Sequence, residues 1–321
     1  MRRHVPNRRA LRSLSRTFFA AAGLITLLIA PSLAESSPAQ RGAAWDAKAA
    51  MQDISRQLTF GDRAFGTPGH EKTLRMVRAQ FASLGIPTTL QTWTEQTPLG
   101  PRQLTNIIAH FNPSNPRRVL LGTHYDSITR AYADPTSPNA IMPGANNSAS
   151  GVAMLLETAR ALKRSPPSVG VDFVFFDGEE GPISLGAGDP NWHALGSPHY
   201  VRALGPGAPG RPAQTIIFDM VCYRNIKLQP ELSSISTTPD AVNAFWSLGR
   251  ARFPSVFVSE PTGYAIGDDQ SAFQAINVPS LLVIGFEYAP YFNTTADTID
   301  KCSPDTLTAI GETVVSYLRS L

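Results

Sequence analysis

Only two cysteines, Cys222 and Cys302, occur in 321 residues, which excludes a zinc ribbon. No internal repeat is present, so an array of stacked repeats is excluded as well. Apolar runs are short: the one over 18–30 has about 13 residues, against the roughly 20 that a membrane-spanning helix needs. A permanent membrane span is therefore not expected. Basic residues form no stripe interleaved with aromatics, which removes the electrostatic footprint of a nucleic-acid partner. With 42% hydrophobic and 17% charged residues, the composition is that of an ordinary globular protein and not of a disordered chain.

The first 34 residues stand apart. Arg2, Arg3, Arg8, Arg9, Arg12 and Arg16 precede the apolar run, and Ser32-Leu33-Ala34 supplies the small-x-small pattern that signal peptidase accepts. Residues 1–34 are therefore expected to be a signal peptide, and the protein to be exported, either periplasmic or secreted. Losing those six arginines lowers Lys+Arg from 28 to 22 against 25 Asp+Glu, so a formal +3 becomes about −3. An oxidising compartment allows a disulfide between Cys222 and Cys302. Two buried free thiols are the alternative, and the sequence leaves both open.

Apolar periodicity predicts helices over 43–58, 70–84, 148–163, 239–252, 271–276 and 303–321. Strands are predicted over 87–95, 104–111, 118–123, 169–176, 215–221 and 280–284, several of them continuous apolar runs suited to a sheet buried on both faces. Helix and strand alternate through most of the chain. This pattern implies a three-layer α/β/α fold with a mixed, mostly parallel sheet whose first two strands form an antiparallel edge.

Open sheets of this kind bind ligands beyond the carboxyl ends of their strands. His124 and Asp126, then Asp177, Glu179 and Glu180, then the loop over 286–298 follow directly on predicted strands, and Asp219 in IIFDMV ends another apolar strand. FFDGEE is the most informative segment, since three acids in four residues repel one another unless a cation or a proton intervenes. Adjacent glutamates let one hold a metal while the next acts as general base. A solvated acidic turn is the bland alternative, but the preceding DFVFF reads as a buried strand delivering these acids into a cleft. His124-x-Asp126 has the form of a metal ligand with its orienting carboxylate. Asp268, opening a short helix in GDDQSAF, reads as an N-cap.

The ordered strings THYDS, GANNSASG, FFDGEE, FDM, GDDQ and YFNTTADT resemble metallopeptidase family 28, the co-catalytic zinc aminopeptidases. Within it, TPLGPRQLTNIIAHFNP and the insert between FFDGEE and GSPHY are closest to the animal-type glutaminyl cyclases. The likeness covers about 45–321, so 35–321 is expected to be a single catalytic domain of that family. It implies zinc, and a peptide N-terminus as substrate or ligand. It further implies that one metal is held at the positions of His124 and Asp219, the other at those of Glu180 and Asn293, with the position of Asn147 bridging. Single-zinc cyclases use the positions of Asn147, Glu180 and Asn293. Glu179 matches the general base, Asp219 and Asp269 the acid network around it, and Phe292 an aromatic lining the pocket, where the insert also places Trp192.

The sequence departs from this pattern where Asn147 replaces the bridging aspartate, Asn293 the last histidine, and Gln270 the histidine after the double aspartate. Two strong ligands are lost, so one zinc or none is expected, and any retained ion is expected at His124 and Asp219 with the Asn147 carbonyl oxygen. A cap on the following helix would explain Asn147 without metal, and loop ordering or a glycan on the sequon Asn293-Thr294-Thr295 would explain Asn293. Three functions follow: a glutaminyl cyclase, an aminopeptidase, or a pseudoenzyme that binds peptide amino termini without turnover.

Overall fold

The computed structural model describes residues 45–97, 100–180, 192–205, 208 and 210–321. The expected signal peptide and most of the insert after FFDGEE lie outside the described residues. Six strands, β1 (Thr88–Thr97), β2 (Gly100–Phe111), β3 (Arg118–His124), β4 (Gly170–Phe176), β5 (Gln214–Asp219) and β6 (Ser280–Ile284), form one sheet in the order β1-β2-β4-β3-β5-β6. β1 and β2 pair antiparallel, as do β2 and β4, while β3, β4, β5 and β6 pair parallel. The expected antiparallel edge is present.

Every residue of β3, β4, β5 and β6 is buried, because helices cover both faces. Alternation then sorts each strand between two cores. Leu121, Phe173, Phe175, Ile216 and Phe218 face one layer, made by α1 (Ala47–Leu58), α2 (Pro68–Ser83), α3 (Ala149–Arg164), α6 (Pro239–Arg252) and α8 (Pro304–Ser320). Leu120, Val174, Phe176 and Ile217 face the other, with α4 (Gly196–Val201) and α7 (Gln270–Ala275). Beside β6, the Ser234 hydroxyl of α5 (Leu232–Thr237) accepts the Leu282 N–H, so the strand's outer edge does not present that donor for pairing.

The chain moves from β3 to β4 on one side, then returns across β3 to β5 on the other. β3 is thus the switch point, and the carboxyl ends of β3, β4 and β5 open on a common crevice. α3 begins at that crevice and packs on the sheet through Gly151. A Cβ there would lie 2.0 Å from Thr123 Oγ1 and 2.9 Å from the Phe218 carbonyl oxygen. Gly151→Ala should therefore cost about 1–3 kcal/mol, read as a lower urea midpoint; an unchanged midpoint would refute this close approach.

Cys222 and Cys302 form a disulfide spanning 80 residues, which resolves the pair left open above. It joins the chain just past β5 to the chain just before α8, where the Ser303 N–H also bonds the Cys222 carbonyl at 2.8 Å.

Candidate functional site

His124 ends β3 and Asp219 ends β5. His124 Nε2 lies 3.2 Å from Asp219 Oδ1, and Nδ1 lies 3.1 Å from the main-chain oxygen of Asp126. The Asp126 carboxylate, expected to orient this imidazole, is 3.5 Å from Nδ1. It accepts instead the main-chain N–H groups of Glu179 at 3.1 Å and Glu180 at 3.2 Å. Fully buried, Asp126 thereby aims the acidic loop after β4 at His124, whose Nδ1 is 3.9 Å from Glu179 Oε2.

One acid of FFDGEE does not join the cleft. Asp177 Oδ1 lies 2.8 Å from His70 Nε2 on α2, and Oδ2 accepts the Thr105 N–H at 2.7 Å and the Tyr125 hydroxyl at 3.1 Å. The Tyr125 ring stacks on His70 with centroids 4.8 Å apart. His70 and Asp177 are 107 positions apart, so no local pattern announces the pair. It roots the loop that carries Glu179 and Glu180.

The two asparagines meet. Asn147 Nδ2 donates to Glu180 Oε1 at 2.7 Å and to Asn293 Oδ1 at 3.3 Å, while Asn293 Nδ2 donates to the Tyr132 hydroxyl at 3.0 Å. Asn147 is therefore no helix cap; Ser148 precedes α3 and makes no side-chain cap bond either. Asn293 is 3% exposed, so its sequon offers no accessible nitrogen for a glycan. It adopts φ +52°, a left-handed conformation that asparagine tolerates well. Beneath them, buried Asp297 accepts the N–H groups of Asn146 and Asn147 and the Tyr288 hydroxyl, and Arg63 donates to the Pro143 and Gly144 carbonyls. Neither Asp297 nor Arg63 stands out in the sequence.

Asp268, Asp219, Glu179 and Glu180 line a pocket of about 410 Å³, with Trp192 and Phe292 on its apolar wall. The Trp192 indole N–H donates to the Glu179 carbonyl at 3.1 Å. Asp268 caps no helix; its Oδ1 accepts the neighbouring Asp269 N–H at 2.5 Å. Asp269 is fully buried behind it, and neither of its carboxylate oxygens has a hydrogen-bond partner.

Burial pushes Glu179 well above the usual carboxylate range; His124 offsets part of this, and Asp268, Glu180 and Asp269 add to it. Glu180 is pushed up to about 7 by burial, less what His124 returns, and Asp269 to about 7 by burial, less what the nearby Ser197 hydroxyl and His124 return. Burial alone would lower His124, but Glu179, Asp126 and Asp219 overcome it and hold the imidazole well above its ordinary value. Folding thus raises Glu180 and Asp269 from their ordinary values of 4.5 and 3.8. Their contribution to stability is complete below those values and is lost as pH rises through about 7. Metal-stripped protein should lose roughly 5 °C in Tm between pH 5 and 8; a level or rising Tm would contradict this.

The peptidase family M28 model matches residues 106–318. The chain belongs to peptidase family M28. It is 31% identical over 163 residues to the glutaminyl-peptide cyclotransferase of Bos taurus, covering 46% of this chain and 43% of that protein's length. Glutaminyl cyclase from Tannerella forsythia superposes with a TM-score of 0.79 at 29% identity, over 87% of this chain and 99% of that one. A Zn-dependent exopeptidase from Parabacteroides distasonis gives 0.80 at 28%, over 87% and 100%. Membership of M28 and the glutaminyl cyclase-like fold therefore agree with the motif reading.

M28 membership implies zinc, and the two half-sites differ in their fit to it. At Asn147, Glu180 and Asn293, an amide nitrogen points at both oxygen acceptors, which puts an N–H₂ group where a cation would need lone pairs. That position does not fit zinc. On the other side, His124, Glu179 and Glu180 place one ligand atom each within 4.8 Å of one another. An imidazole nitrogen and two carboxylate oxygens suit zinc's preferences, and Asp219 stands beside them. Asn147 Oδ1, buried and without a partner, is the remaining acceptor at this end of the pocket. Among the described residues, no helix is long and apolar enough to cross a membrane.

Proposed function

We propose that this protein acts on peptide amino termini as an exported, glutaminyl cyclase-like member of M28 whose metal site is altered. The reading rests on one observation: Glu179, Glu180, Asp219 and Asp268 converge on a single pocket with an aromatic wall. An ammonium group satisfies such converging carboxylates, and a peptide N-terminus carries one.

In the cyclisation, the α-amino nitrogen of an N-terminal glutamine forms a bond to its own side-chain carbonyl carbon. The bond from that carbon to the amide nitrogen breaks, and ammonia leaves. Glu179 takes one proton from the bound ammonium, which frees the lone pair for attack, and hands it to the departing nitrogen. The attacking nitrogen's remaining surplus proton leaves with the released ammonia as ammonium. Burial, which holds the Glu179 carboxyl above its usual range, suits it to the task. Asp268 holds the amine against Glu179, and Trp192 fixes the Glu179 main chain. His124 with Glu180 and Asp219 would hold a zinc ion, which when bound supplies Lewis-acid polarisation of the amide carbonyl. Asp269 keeps the cluster short of full ionisation.

Two other readings share the pocket. An aminopeptidase would release the first residue where a cyclase releases ammonia, so mass spectrometry of a glutamine-led peptide separates them. A loss of 17 mass units with the chain intact supports the cyclase, and a shortened peptide supports the peptidase. Binding without turnover draws on the Asn147–Glu180 hydrogen bond, which ties a catalytic-site carboxylate to a neutral amide. An unmodified peptide that still binds supports that reading.

A further inference from the structure

The opposite end of the sheet carries a cavity of its own. Arg118 begins β3, and His124 ends it, so the two lie about 20 Å apart at roughly 3.3 Å per residue. Beside Arg118, between the β2–β3 turn, α4 and the chain leading into β5, is a cavity of about 780 Å³, the size of a small-molecule site. It shares no lining residue with the pocket that holds the carboxylates.

Its polar groups do not satisfy one another. The Asp172 carboxylate is already spent, because it accepts Arg118 Nε at 2.7 Å, Arg118 Nη2 at 2.5 Å and His110 Nδ1 at 2.7 Å. Arg211 donates to the Leu204 carbonyl at 2.8 Å and to the Ile276 carbonyl, and among the described residues it meets no carboxylate. A guanidinium has five N–H groups, so Arg211 retains donors for a ligand. Two guanidinium groups therefore line the cavity against one carboxylate, which leaves one positive charge over. Tyr200 lines it too; the residue is 8% exposed, and among the described residues its hydroxyl has no hydrogen-bond partner. Burial pushes this phenol above its ordinary value, Asp172 adds to that and Arg118 returns part, so the group stays a proton donor. Its ring is held by Phe176 and Phe273, each with centroids 5.9 Å away. The remaining wall is apolar: Leu90 on β1 is 42% exposed, and Ile108 and Leu204 line the same space.

We infer that this cavity is a separate binding site for an organic monocarboxylate, whose carboxylate pairs with Arg211 and the Tyr200 hydroxyl while its apolar body covers Leu90, Ile108 and Leu204. A single surplus charge matches a monoanion. The apolar wall offers no donors to the outer oxygens of a phosphate, and a hydroxyl left unpaired in a buried position gains most from an anionic acceptor. The site stands independently of the amino-terminus reading.

Calorimetric titration of the full chain tests it, with hexanoate as the probe and hexanamide as its neutral isostere. Hexanoate should bind with a Kd below about 1 mM, and hexanamide at least tenfold more weakly. Tyr200→Phe removes only an oxygen that no protein group uses, so it should melt no lower than the parent while weakening hexanoate about three- to tenfold. Arg211→Met should weaken it roughly tenfold or more. Inorganic phosphate at equal concentration should not displace it. Hexanoate that fails to bind, or that binds both variants as tightly as the parent, overturns the site. Hexanamide binding as tightly as hexanoate, or phosphate displacing it at equal concentration, overturns the monocarboxylate assignment.

Discussion

Exchanging Asn147 for Asp and Asn293 for His in one protein should raise its zinc affinity by roughly 100-fold or more. Loss of groups that merely support a metal ligand costs about 10–100-fold, and here two ligand positions themselves are changed. The parent keeps Glu180 and the two amides together through hydrogen bonds of 2.7 and 3.3 Å from a single nitrogen, so that end of the pocket is closed without a cation. Aspartate at 147 removes the nitrogen and sets a second carboxylate against Glu180, which only a cation or a proton can relieve. Histidine at 293 inherits a φ of +52°, a conformation it tolerates better than most residues, so the exchange does not require the loop to move. Competition with a chromophoric chelator reads the affinity, and a rise in Tm on adding zinc provides an independent check. If the parent already binds zinc as tightly as the variant, the Asn147 amide is not what excludes it.

Glu179→Gln should lower turnover of a glutamine-led peptide by 10²- to 10⁴-fold, the usual share of a general base, while the peptide still binds. Glutamine keeps the size and the Trp192 contact, which goes to the main chain, so the loss reports the proton and not the shape. Glu180→Gln separates the roles, because it removes a carboxylate that already spends one oxygen on Asn147. A drop smaller than tenfold for Glu179→Gln would show that the proton travels by another group.

The sheet was legible because its strands are covered on both faces. RVLLGTH, GVDFVFF and SLLVI are nearly unbroken apolar runs, which neither a half-exposed strand nor an amphipathic helix produces. Placing acids at the ends of those runs then located the cleft. α4 and α5 escaped notice because six residues make less than two turns and show no periodicity, whereas α7, equally short, was marked by the double aspartate that opens it. The edge pair was read short, since β1 continues to Thr97 through TWTEQT, whose alternation is polar against half-buried and carries little apolar contrast. Within the site, residue types marked Glu179, Glu180 and His124, but what each side chain bonds depends on contacts over large separations. Asp177 turning to His70, Asp126 serving two main-chain N–H groups and Asn147 donating to Glu180 are all of this kind.

The bond between Cys222 and Cys302 fastens the segment that follows Asp219 to the segment that follows Asn293. Both cysteines are buried in the larger of the two cores, and the segments they join carry Met220 and Asn293, which line the pocket. Dithiothreitol in an assay buffer should therefore loosen the pocket wall and lower the melting temperature together, so reductant-free handling is the condition under which any activity is properly judged.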